Sequence, residues 1–254
     1  MLDSHFYNEQ TELTSYLAKS WRVVESQENV ATLNIVDTME EQGVLESLLD
    51  EVKPRYRVGT ESLHYLIKTA FRYPPLKYGS RFGTRAMPSY FYASEDMAVA
   101  FAETAYYRFL FFAHISEPYN KPVDSKHTAF SVLLRSNACL DLCSDTFSFV
   151  AERLTDKASY SYCQQVGDWA VNQRGVDLIR FASARAKSHT DRPLMANLGV
   201  VKPQVISSNK PESQETWLCR TTNDRVSFSC RSAAQPLIFP IADFQVNGVL
   251  SMVG

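Results

Sequence analysis

The sequence predicts an α/β (α+β) domain, a mixed sheet flanked by helices, with a helical N-terminal extension over residues 1–54 and the main domain over 55–254. Three observations carry this. Short aromatic or β-branched runs recur at 89–93, 128–135, 176–182 and 215–230. Stretches with helical spacing of apolar residues lie between them. The chain has 254 residues, 45% of them hydrophobic and 21% charged, as expected of a globular protein. That length suits one large domain, or one with appendages, at roughly 150 residues per domain.

Residues 8–51 read as helical, with Leu13, Tyr16, Leu17 and Trp21 at helical spacing and Leu45, Leu48 and Leu49 on one side of a second stretch. Pro54 closes this region. Its apolar positions suit packing on the main domain or on a second copy of the chain, so a homodimer is plausible. Residues 55–95 read as short strands and turns, broken at Pro74-Pro75 and Gly79-Ser80. Ser89–Ala93 is a short aromatic strand. Ser94 then suits a helix N-cap, with Glu95 and Asp96 in the first turn. The helix should run to Ala113 with a stripe of Ala98, Phe101, Ala102, Ala105, Phe109 and Phe112. Strands follow at 128–135 and 176–182, helices at 145–155 and 160–174, the second stopping at Gly175. A hairpin spans 215–220 and 225–230, after a polar loop at 207–214.

The formal net charge of −2 excludes a whole-protein basic nucleic-acid binder. No apolar run approaches the ~18 residues of a membrane span, and no secretory signal is visible at the N-terminus. Five loosely spaced cysteines point to reduced thiols, and no metal site is expected from the ligand spacing.

The near-zero charge conceals an asymmetry. Residues 1–61 hold 12 acids against 5 bases, whereas residues 62–94 hold no acid and five bases, Lys68, Arg72, Lys77, Arg81 and Arg85. Fifteen of the 28 Phe and Tyr residues lie between Tyr65 and Tyr119. Such a segment suits a ligand bearing phosphates and rings. It equally suits a sheet face whose arginines pair with the acidic N-terminal segment.

There is no G-x-G-x-x-G, P-loop, H-E-x-x-H or G-x-S-x-G motif. What remains is a spaced set. Arg81, Tyr92 and Glu103 follow one another at intervals of eleven, and Ser183 ends a later strand. Glu103 is the sole acid of an otherwise apolar helical stretch, so its carboxylate must be paired or functional.

Phe-Arg-Tyr-Pro-Pro at 71–75, Gly-Ser-Arg-Phe-Gly at 79–83, Pro-Ser-Tyr-Phe-Tyr-Ala-Ser at 88–94, Ala-Phe-Ala-Glu-Thr-Ala-Tyr-Tyr-Arg at 100–108 and Gly-Val-Asp-Leu-Ile-Arg-Phe-Ala-Ser-Ala-Arg at 175–185 together resemble the core of RES-domain proteins, the toxins of RES–Xre toxin–antitoxin modules. The resemblance covers roughly residues 55–205. It implies an ADP-ribosyltransferase-like fold and cleavage of NAD+ between nicotinamide and ribose by phosphorolysis or hydrolysis. Some members instead move ADP-ribose onto a protein.

The resemblance also implies residue roles. Arg81 and Arg72 bind the pyrophosphate, with Arg57 as the other candidate for the family's first arginine. Tyr92 faces the nicotinamide ring, and Tyr73 shapes the pocket. Glu103 holds the ribose 2′-hydroxyl and stabilises the oxocarbenium-like charge. Ser183 binds the nicotinamide or its ribose. NAD+ is then a substrate, with no further cofactor. The implied partner is an Xre-type helix-turn-helix antitoxin that blocks the cleft and itself contacts DNA, and the implied compartment is the bacterial cytoplasm. Extra sequence around 139–165 is either a lid or an added helical layer. A non-enzymatic interaction module built on the acidic N-terminus and the basic aromatic face is the reading from another class.

Overall fold

The computed structural model describes residues 6, 11–26, 36–75, 77–115, 121–186 and 195–251. Its frame is a mixed eight-stranded sheet. The strands are β1 (Thr14–Glu25), β2 (Phe91–Ser94), β3 (Val123–Asp141), β4 (Leu178–Ala182), β5 (Ala196–Val200), β6 (Ser213–Thr221), β7 (Arg225–Ser229) and β8 (Leu237–Pro240). They lie in the order β1-β2-β5-β4-β3-β6-β7-β8. β1 also pairs with β3, from Thr14 opposite Cys139 to Glu25 opposite His127. Five strands therefore form a ring, joined between β1 and β2 by the single pair Trp21–Ser94.

The length of β3 makes this possible. One edge holds β1. The other holds β6 along Val123–Ser131 and, further on, β4 in parallel along Cys139–Asp141. The short strands β4 and β5 are mostly apolar and largely buried, each interrupted by one polar residue, Arg180 and Asn197.

The mixed α/β expectation holds, but the N-terminal segment is corrected. Residues 14–25 are not helical; they form β1, inside the sheet. The spacing of Leu13, Tyr16, Leu17 and Trp21 misled because a period of two was also present. Tyr16, Ala18 and Ser20 turn inward, while Ser15, Leu17 and Lys19 are exposed. Pairing along β3 then decides between the two periods. The helix of this region, α1 (Met39–Val52), starts at a capping box in which Thr38 Oγ1 accepts from Glu41 N and the Glu41 carboxylate accepts from Thr38 N.

Residues 55–95 are also corrected. Among the described residues they contain one strand, β2, and a short helix, α2 (Tyr65–Lys68), continued by a 3-10 turn at Thr69–Phe71. Leu63, Leu66, Ile67 and Phe71 recur at helical spacing and are buried against the ring core with Phe91, Phe130, Leu178 and Leu198.

The long helix α3 (Met97–Ala113) starts later than expected. Ser94 ends β2, and the Asp96 carboxylate caps the helix by accepting from Ala98 N at 2.6 Å. Phe101, Ala105 and Phe109 pack on Trp217, Val226 and Phe228 of β6 and β7.

Of the stretch at 139–165, residues 139–141 end β3, and the rest forms a helical layer packed on the sheet. After the 3-10 turn Asp145–Val150 come α4 (Ala151–Leu154) and α5 (Ser161–Asn172). They bury Phe147, Val150, Leu154, Val166 and Trp169 with Phe82, Ile179 and Phe181. All five cysteines are free thiols. Among the described residues no helix is long and apolar enough to cross a membrane, and no cluster could hold a metal ion.

Candidate active site

The site begins with Glu103, on the face of α3 that turns toward β1, β2 and β5. Its Oε1 accepts two hydrogen bonds, from Ser183 Oγ at 2.7 Å and from Asn197 Nδ2 at 2.6 Å. Both donors are held in place. Ser183 Oγ accepts from the backbone N–H groups of Arg185 and Ala186 at 3.1 and 3.0 Å, so its own proton is directed to Glu103. Asn197 Oδ1 accepts from buried Ser94 Oγ at 2.6 Å, which fixes the amide orientation. Glu103 Oε2 has no hydrogen-bond partner among the described residues, so one carboxylate oxygen is anchored and the other is available.

Glu103 lines a cavity of about 310 Å³ together with Arg22, Arg81, Tyr92, Tyr107 and Tyr160. This is at the lower end of the ~300–1,000 Å³ common for small-molecule sites. Arg81 is buried, at 8% exposure. Its guanidinium donates to the carbonyls of Leu154 and Asp156 at 3.1 and 3.0 Å and lies over the Tyr160 ring at 4.8 Å. This helical layer therefore forms one wall of the cavity by anchoring Arg81.

Tyr92 presents its ring to the cavity and uses its hydroxyl to fix the Gly79–Gly83 turn. The hydroxyl accepts from Phe82 N at 3.1 Å and pairs with Ser80 Oγ at 2.9 Å. Burial pushes its ionisation above the ordinary tyrosine range, so it stays neutral. The turn is tight. Gly79 sits at φ +74, and a Cβ there would meet Gly83 O at 2.4 Å. Helix α5 packs directly on it, since a Cβ at Gly167 would lie 1.9 Å from Phe82 O.

Arg22 on β1 completes the basic lining. Its Nη1 donates to the Tyr92 carbonyl, and its guanidinium lies 5.1 Å from the centre of the Phe91 ring. It has no acidic partner among the described residues, and its buried Nε has no hydrogen-bond partner. Burial lowers its pKa to about 10, which still leaves a cation at neutral pH. A half-buried guanidinium without a counter-charge, on a cavity wall, is a ready anion site.

The structure thus brings Arg81, Tyr92, Glu103 and Ser183 together. It does not bring Arg72, Tyr73 or Arg57 there. Arg72 turns back onto the N-terminal helix layer, donating to Pro54 O at 2.6 Å and to Asp50 Oδ1 at 3.2 Å and lying over the Tyr56 ring. Tyr73 is exposed, and its carbonyl accepts from Ser89 Oγ. Arg57 donates to Val201 O at 2.9 Å and sits over Phe71. Sequence reasoning missed Arg22 and Asn197. Arg22 was hidden in a segment read as helical. Asn197 carried a signal, being the one polar residue of the buried strand Ala-Asn-Leu-Gly-Val.

A family model described as the RES domain matches residues 54–220. The chain belongs to the RES-domain family. Arg81, Tyr92, Glu103, Ser183 and Asn197 all fall inside the matched span, while Arg22 lies before it and joins the RES-domain cavity through the β1–β2 and β1–β3 pairings. No curated protein matches the chain. Among solved structures, a chain of the M. tuberculosis MbcT–MbcA toxin–antitoxin complex is similar to this RES-domain protein at 9% identity and a TM-score of 0.48, over 84% of this chain and 92% of that one.

Proposed function

We propose that this RES-domain protein is a toxin that degrades NAD+ by cleaving the nicotinamide–ribose bond. The observation that carries the reading is the Glu103 carboxylate. One oxygen is held by Ser183 and Asn197, and the other is available at the edge of a cavity that also presents Arg22, Arg81 and the Tyr92 ring.

The chemistry asks for little else. The leaving group is a pyridinium, so when the bond from ribose C1′ to the ring nitrogen breaks, its electron pair neutralises the nicotinamide and no proton need be supplied. Positive charge develops on the ribose as an oxocarbenium ion. A fixed carboxylate stabilises that charge and accepts a hydrogen bond from the 2′-hydroxyl. Arg22 and Arg81 hold the pyrophosphate by charge-assisted hydrogen bonds. Tyr92 supplies an aromatic face for the nicotinamide. Water or phosphate then forms the new bond at that same anomeric carbon, C1″ of the product, giving ADP-ribose plus a proton, or ADP-ribose 1″-phosphate.

NAD+ is the substrate in this reading and no further cofactor is used. The partner is an Xre-type antitoxin that covers the cleft in the bacterial cytoplasm. The test is to incubate purified, antitoxin-free protein with NAD+, with and without phosphate, and follow nicotinamide. Release that is lost in Glu103→Gln is expected. Absence of release in both conditions overturns the reading. Labelled protein bands from adenine-labelled NAD+ in lysate would point instead to ADP-ribosyl transfer onto a protein.

A further inference from the structure

A second cavity, of about 500 Å³, adjoins the first and shares Val23, Thr104 and Tyr107 with it. We infer that it takes the adenosine half of the dinucleotide, with the adenine stacked on the exposed aromatic face of α3. The inference rests on the NAD+ reading above and adds to it the place of the base.

Glu103, Tyr107 and Phe111 stand at i, i+4 and i+8, on one face of the helix. The rise of an α-helix puts Phe111 about 12 Å beyond Glu103 along the groove. Tyr107 and Phe111 are each 56% exposed beside these cavities, whereas Phe101, Tyr106 and Phe109 of the same helix are buried. Exposed rings at the rim of a cleft mark a binding surface.

The electrostatics separate this cavity from the first. Its cation, Arg108, is buried and already paired, through Nη1 to Glu25 Oε2 at 3.0 Å and Nε to Thr221 Oγ1 at 3.2 Å, and its guanidinium covers the Phe111 ring at 5.4 Å. Its other carboxylate, Asp124, is bound by Arg220 at 2.8 Å. Charges matched in pairs offer little to a phosphate and do not repel an uncharged heteroaromatic base with its ribose. The unmatched cation, Arg22, sits in the adjoining cavity, which places the phosphates between Glu103 and Phe111.

The experiment compares NAD+ with nicotinamide mononucleotide, which keeps the scissile bond and lacks the adenylyl group, adenosine with one phosphate. For Phe111→Ala, an exposed position whose folding is checked by Tm, KM for NAD+ is expected to rise about tenfold with kcat unchanged, the loss typical of one base–aromatic stack. Cleavage of the mononucleotide should not change, and Phe111→Trp should keep the wild-type KM. An unaltered KM for NAD+, or an equal loss on both substrates, overturns the inference. If wild-type protein releases no nicotinamide, the NAD+ reading fails by itself, and titration of adenosine monophosphate onto Glu103→Gln protein still examines the cavity. Binding weakened by Phe111→Ala supports the subsite, and absence of binding overturns it.

Discussion

Asn197 Nδ2 lies 2.6 Å from Glu103 Oε1, joining a strand of the ring to the long helix across 94 residues of sequence. The amide serves as a positioning group, since it fixes which carboxylate oxygen is left for a ligand. A hydrogen bond to a charged group contributes about 1.5–3 kcal/mol. Asn197→Ala is therefore expected to lower kcat roughly ten- to a hundredfold, at about 1.4 kcal/mol per factor of ten. Asn197→Asp is the sharper variant. It replaces the amide donor with a second carboxylate, which repels Glu103 and releases the oxygen that Asn197 holds. Its kcat should fall at least as far as that of Asn197→Ala. Wild-type activity in both variants would mean that the contact does not control Glu103.

Arg22 and Arg72 make a paired prediction. Arg22 lines the cavity without a counter-charge, while Arg72 is engaged by Asp50, Pro54 and Tyr56 outside it. Arg22→Ala should raise KM for NAD+ at least tenfold through loss of a charge-assisted contact. Arg22→Lys should recover only part of this, because a point charge lacks the planar fork. Arg72→Ala should leave kcat/KM unchanged and lower Tm only modestly, through loss of its contacts with Asp50, Pro54 and Tyr56. Loss of nicotinamide release on removing Arg72, with Arg22 dispensable, would reverse the assignment.

The same two arginines show how far the sequence could be read. Arg81, Tyr92, Glu103 and Ser183 were legible because each sits in a local pattern, a glycine turn, an aromatic strand, an apolar helix and a strand end, and local patterns survive folding. Arg72 had an equally suggestive neighbourhood in Tyr-Pro-Pro, but its direction is set by the distant Asp50, which no local pattern reports. Arg22 was lost with β1. That segment satisfies both a helical and an alternating period, and only its eleven pairings with β3 resolve the choice. Asn197 was legible in kind, as a polar residue in an apolar strand, though its partner Glu103 is fixed only when β5 closes on β2.

Gly167 tests how the Arg81 turn is held. A Cβ there would fall 1.9 Å from the Phe82 carbonyl oxygen and 3.1 Å from Phe82 Cβ, so α5 and the Gly79–Gly83 turn cannot both keep their places. Gly167→Ala is expected to destabilise the protein by about 1–3 kcal/mol through overpacking, despite alanine's better helix propensity. Because Gln164 of the same helix donates to Tyr78 O and Ser80 O, the displaced turn carries Arg81 with it. KM for NAD+ should rise along with the fall in Tm, while Gly43→Ala on α1, where a Cβ meets nothing within 4 Å, should be neutral or stabilising. A Gly167→Ala protein as stable and as active as wild type would contradict this packing.

His127 supplies a pH dependence of stability. It is buried on β3, edge-on to Phe228 at 5.5 Å, and burial with the nearby Arg108 lowers its pKa to about 4 from an ordinary 6.5. Between those two values the unfolded chain binds a proton that the folded chain refuses, so stability rises with pH across this window and is lost as pH falls through it. The contribution is on the order of 3 kcal/mol, from about 1.4 kcal/mol per pH unit. Thermal melts should show Tm falling from pH 7 to pH 4.5. In His127→Gln, which cannot titrate, that part of the slope should vanish whatever the variant's absolute stability. An unchanged slope would assign the acid sensitivity to other groups.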